Sequence, residues 1–211
     1  MSQNPVTVQN RDNLMDHQAM NHAALSRRSM VTKIMHALLL ITVVHQLAVS
    51  LLMEGPRPGR SADIFFTLHE YGGYAAFVVL CVFWIWSIVR RGETKLGALF
   101  PWFSGDRIKA VVADLRLHAT ELRRRRLPAA DDRPLASAIH GLGLLTVTLM
   151  ALTGVLPAVG LVSPGSGQLL ISTHKLFANL MWAYLIAHAG LAVVHEVIGE
   201  RVLPKMFSKN G

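Results

Sequence analysis

The stretch THKLFANLMWAYLIAHAGLAVVHE, residues 173–196, decides the fold. Its charged residues stand near its ends, Lys175 and Glu196, and what lies between them is almost wholly apolar. A helix that crosses a bilayer needs about 20 such residues. Two histidines interrupt the run, His174 and His188, fourteen positions apart. At about 100° per residue they fall on nearly the same helix face, and at a rise of about 1.5 Å they lie roughly 21 Å apart in depth. One spanning helix therefore offers two imidazoles, one near each membrane surface. Ionisable side chains inside a membrane are costly and mark function more often than architecture.

Three further apolar runs repeat the pattern. They extend from about Ile34 to Met53, from Ile64 to Val89 and from about Leu135 to Val162, with the fourth from Leu169 to Val194. Hydrophobic residues make up 52% of the 211 residues and charged residues only 16%. A soluble domain carries about a quarter charged residues. The net charge of +8 does not indicate a nucleic-acid partner, because the basic residues cluster between and beside the apolar runs. The first run is expected to be a true span rather than a signal peptide, because it follows some 30 polar residues and no small-x-small cleavage site comes after it. The single cysteine, Cys81, lies inside a span, so no disulfide within the chain can form.

Four spans put both termini on one side, and Arg and Lys choose the side, because cytoplasmic loops keep their excess. Of the 21 basic residues, four lie at or before Lys33, eleven between Arg90 and Arg133, and three at or after Arg201. The opposite face has only Arg57, Arg60 and Lys175. The expected architecture is an all-α, integral membrane four-helix bundle, with both termini cytoplasmic. Residues 1–30 form a disordered N-terminal segment, 31–200 the membrane domain and 201–211 a tail. Two short loops, Glu54–Asp63 and Ser163–Gln168, face outward. In the cytoplasmic loop of about 91–133, Ile108, Val111, Val112, Leu115, Ala119 and Leu122 recur at helical spacing among Arg and Lys. That pattern predicts a basic amphipathic helix along the membrane surface or packed under the bundle.

Seven histidines stand in or at the edges of spans: His36, His45, His69, His140, His174, His188 and His195. Zinc needs about four donors converging at one depth. Two sites separated by most of a bilayer suit a pair of haems, whose irons take axial histidines. Depth pairs His69 with His174 near the outer surface. For His188 it leaves both His36 and His45 open, since His188 falls between them. Gly72, Gly73, Ala178 and Ala192 stand on the faces of these histidines, where small residues make room for a macrocycle or for close helix packing. His195 and His140, near the cytoplasmic ends of their spans, are candidates to hydrogen-bond a quinone or to anchor the helix ends. Met181, on the same stripe, suits core packing.

At these residues the chain resembles a known family, that of bacterial cytochrome b561 and the cytochrome b of nickel–iron hydrogenases. Thr173–Glu196 is similar to that family's last helix, KIMHALLLITVV (Lys33–Val44) to its first, FFTLHEYGGYAAFVVL to its second and LASAIHGLGLLTVTLMALTG to its third. The likeness runs from about Lys33 to Glu196, apart from the long loop. A Trp common after the first ligand is Ala37 here, and the loop is longer than in the shortest members. The resemblance implies two haem b, ligated by His36 with His188 and by His69 with His174. It implies electron transfer between an outer redox protein, or a small oxidant or reductant, and membrane quinone. Some members are subunits of hydrogenase or formate dehydrogenase; others stand alone, one type oxidising superoxide and reducing ubiquinone. The outer loops are too short to build a catalytic domain, and an oligomer stays open. A transporter using its histidines for protons or metal lacks the mid-membrane acid and broken helix such proteins use.

Overall fold

The computed structural model describes residues 29–91, 93–124 and 133–199. The N-terminal segment up to residue 28 and the expected tail lie outside the described residues. Four helices are long and apolar enough to cross a membrane: α1 (Met30–Ser50), α2 (Ile64–Val89), α5 (Pro134–Ala158) and α6 (Pro164–Val197). Between α2 and α5 come a single turn, α3 (Leu96–Leu99), a 3₁₀ turn (Pro101–Phe103) and α4 (Gly105–Arg123). Among the described residues the only strand-like pairing is one antiparallel bridge between Arg57 and Arg60.

The helix starts follow local capping chemistry. Ser29 Oγ accepts from Thr32 N at 3.2 Å, and Asp63 Oδ1 accepts from Phe66 N at 2.7 Å; each satisfies one of the orphan amides of a first turn. Proline at the first turn opens α5 and α6, where a missing N–H costs nothing. That last feature corrects one expected boundary. Ser163–Gln168 was expected as an outer loop, but Ser163 is the N-cap of α6 and Pro164–Gln168 are already helical. The turn is instead residues 159–163, where Gly160 adopts φ 71° and ends α5 in the left-handed conformation that glycine tolerates. The first helix also starts earlier than expected, at Met30.

The four spans pack in a ring. α1 lies along α2, α2 meets α5, and α5 lies along α6. The fourth side, where α6 faces α1 and α2, has little backbone contact and is filled by side chains. Val43, Leu47, Leu80, Leu144, Val147, Met150 and Met181 form the buried centre, while residues such as Ile41, Val78, Ile85, Leu176 and Ile186 point outward toward lipid. Polar bonds tie the spans where they cross. Trp84 Nε1 donates to Thr148 Oγ1 at 3.0 Å, and Trp86 Nε1 donates to Thr32 Oγ1 at 2.8 Å.

The expected loop helix forms as α4. Its buried Asp114 accepts from Leu135 N at 3.1 Å and lies 3.6 Å from Arg133. α3 is held because Gly141 of α5 has no side chain: a Cβ there would strike the Leu99 carbonyl. The loop is thereby fastened to the first turns of α5.

Candidate functional site

The histidines meet in pairs across the side of the ring where α6 faces α1 and α2. At one end His69 of α2 faces His174 of α6, with ring centroids 6.1 Å apart. At the other, His36 of α1 faces His188 of α6 at 6.5 Å. Two imidazoles sharing one metal ion have centroids about 6 Å apart, from two bonds of about 2 Å and roughly 1 Å from each nitrogen to its ring centre. Both pairs stand at that separation. α6 is one unbroken helix between them, so the fourteen-residue interval holds the pairs at the two depths expected.

The pair of His69 and His174 is held by its surroundings. His174 Nδ1 lies 2.7 Å from the Met150 backbone oxygen. A carbonyl only accepts, so Nδ1 carries the proton and Nε2 keeps its lone pair. Metal-binding histidines are oriented by this kind of bond. Gly154 of α5 makes the arrangement fit, because a Cβ there would stand 2.9 Å from His174 Cε1. His69 Nδ1 is buried and makes no hydrogen bond. The donor set and its geometry fit an iron with two axial imidazoles at each end.

The pair of His36 and His188 sits among aromatic rings. Tyr184, one turn before His188, stacks on it at 5.3 Å with 8° between the planes. His140 of α5 meets the same ring edge-on at 5.1 Å. Gly143 provides the room, since a Cβ there would overlap the Tyr184 ring. His195 is buried, 6% exposed, so it does not snorkel into water. Met181, 3% exposed, fills the core between the two pairs.

Of the two first-helix candidates, His36 is the one that faces His188. His45 lies beside Gly72 of α2, with its Nδ1 3.4 Å from Gln46 Nε2. Gly72 therefore serves a different purpose from room for a macrocycle. A Cβ there would strike the His45 and Gln46 side chains, so this glycine lets α1 approach α2. Sequence reasoning missed Gly154, Gly143, Tyr184 and the Met150 carbonyl. The small residues on α5 carried a signal, but periodicity does not say which ring packs against which glycine. Among the described residues, no three His, Cys, Asp or Glu side chains converge as a zinc site requires.

On the face bearing Arg57 and Arg60, Arg60 pairs with Glu54 at 2.9 Å. A family model described as prokaryotic cytochrome b561 matches residues 27–209, nearly the whole chain. No curated protein and no solved structure matches.

Proposed function

The chain belongs to the prokaryotic cytochrome b561 family, whose members bind haem b, and from that premise we propose that it binds two haems and carries electrons between a redox donor on the outer side and membrane quinone. The observation that carries this reading is the pair of histidine contacts at 6.1 Å and 6.5 Å on one continuous helix. His69 and His174 would hold the outer group, His36 and His188 the inner one. When bound, haem b supplies reversible one-electron chemistry at its iron.

The chain's own residues provide the rest. The Met150 carbonyl fixes the His174 tautomer and aims its free nitrogen. Tyr184 and His140 fix the plane of His188 from two sides. Met181, Val147 and Leu47 keep water out between the two sites. His195, seven residues beyond His188 and buried, stands roughly 10 Å further toward the cytoplasmic end. With His140 it is the group suited to hydrogen-bond a quinone, because an imidazole nitrogen can donate or accept. The prokaryotic family favours a bacterial inner membrane, and the basic residues of the loop between α2 and α5 favour both termini in the cytoplasm. Electrons from outside and protons from inside would make quinone reduction charge-separating.

Redox titration of single variants tests the ligand assignment. His36→Ala and His188→Ala should remove the same spectral component, and His69→Ala and His174→Ala the other. His45→Ala should keep both. Loss of the inner component in His45→Ala but not in His36→Ala would overturn the pairing.

A further inference from the structure

We propose that α4 is a docking surface for the anionic lipid headgroups of the leaflet on its side of the membrane. The inference does not depend on the redox reading. α4 binds the bundle by one edge. Val111, Asp114 and His118 are turned inward, and Asp114 is bonded to Leu135 in the first turn of α5. Since α5 enters the bilayer from that turn, this bond fixes the middle of α4 at the level of the membrane boundary.

The neighbouring face is apolar and uncovered. Ile108, Val112, Leu115, Ala119 and Leu122 recur at intervals of four, three, four and three, so they share an arc of about 80°. Ile108 is 43% exposed, Val112 38%, Leu115 53% and Leu122 57%. A soluble loop helix would turn such a stripe against its own core. Here the docking edge lies to one side of it and the stripe itself is left out. Just before α4, Pro101 is buried and anchors its turn, while Trp102 and Phe103 project outward, Phe103 86% exposed. Aromatic side chains of this kind favour the interface of a bilayer.

Charge complementarity selects the occupant. Lys109, Arg116 and Arg123 stand seven residues apart, in one row about 80° round from the stripe on the side away from α5. Cations beside an apolar face reach the phosphates of a leaflet whose acyl chains the apolar face enters. Among the described residues, the one carboxylate beside that row, Asp106, lies 3.6 Å from Lys109 in a pair exposed on both sides, which water and salt screen. Leu117 stands on the opposite face, beside Ala110, Ala113 and polar residues. A bilayer is present beside α4 in every molecule, because α4 lies in the loop between two spans, α2 and α5, and is bonded to the first turn of α5.

The test uses the full haem-loaded chain in nanodiscs of phosphatidylcholine, with and without phosphatidylglycerol. A nitroxide is attached at Leu115→Cys or at Leu117→Cys, in a Cys81→Ser background. With phosphatidylglycerol present, the label at 115 should be shielded from a water-soluble relaxing agent and open to oxygen, and the label at 117 should stay open to water. Adding Lys109→Gln, Arg116→Gln and Arg123→Gln should abolish the dependence on phosphatidylglycerol while the haem spectrum is unchanged. A label at 115 as wet as that at 117 overturns the proposal. Equal shielding with and without phosphatidylglycerol overturns the assignment to anionic headgroups. Shielding seen only in native membrane vesicles would mean that a protein covers the stripe, and the proposal fails.

Discussion

Replacing Gly154 by alanine tests whether α5 sets the outer site. The new methyl would stand 2.9 Å from Cε1 and 3.0 Å from Nδ1 of His174. Unstrained carbon contacts lie at about 3.5–4.0 Å, so the imidazole has to retreat by roughly 0.5–1 Å. Its bond to the Met150 carbonyl, now 2.7 Å, is stretched or lost with that movement. Removing the bond that orients a metal-bound histidine costs about 10–100-fold in affinity, which is about 1.4–2.7 kcal/mol. Helix propensity works the other way, since alanine in place of glycine favours a helix by about 1 kcal/mol. The two effects therefore differ in sign. The expected result is an apparent dissociation constant for the outer haem raised about 10–100-fold, with the inner haem retained, read by haem titration and redox potentiometry. Wild-type occupancy of both sites in Gly154→Ala would refute the argument that His174 is held by its fit against α5.

Three further outcomes follow from other contacts. Asp114→Ala removes the acceptor for Leu135 N, a cap-like bond worth about 0.5–2 kcal/mol; α4 should loosen, and limited trypsin digestion should cut at Arg116 and Arg123 faster than in the parent. Burial pushes the Glu93 carboxyl up, but the bonds from Ser29 and Thr32 and the nearby Arg90 together outweigh it and hold the group below its ordinary 4.5. The ionised form is thus the one that braces the start of α1, so its contribution is whole above that ordinary value and lost as pH falls through the lower folded one; thermal melts should show Glu93→Gln losing less stability than the parent on acidification, and equal losses would contradict this. His195→Ala should keep both haems and their spectra but slow their reoxidation by added quinone, and an unaltered rate would remove His195 from the quinone site.

The four spans and the two-depth histidine stripe were legible in the sequence because both rest on one-dimensional quantities. Twenty apolar residues fix a length, and the interval from His174 to His188 fixes a face and a depth. What depended on partners across space was not legible. Depth left His188 between His36 and His45; the structure separates them because α1 begins at Met30, so His36 lies two turns inside it. Gly72 sat on the face of His69 by counting, yet its neighbours are His45 and Gln46, because the lateral offset of α1 against α2 is set by packing. The first turn of α6 read as a loop because proline, glycine and serine fill it; proline at the first helical position and a short turn at Gly160 accommodate all of them. Gly154 and the Met150 carbonyl were beyond reach, since α5 contributes them by its rotation about its own axis.

The central claim is that each histidine pair holds one haem b. It is tested most directly by a pyridine haemochrome assay on the purified full-length chain, calibrated against protein concentration. The account predicts two haem b per chain, extractable into acidified organic solvent, because the lone Cys81 offers no Cys-x-x-Cys-His attachment motif. A ratio of one, no haem, or a covalently bound haem c would contradict it.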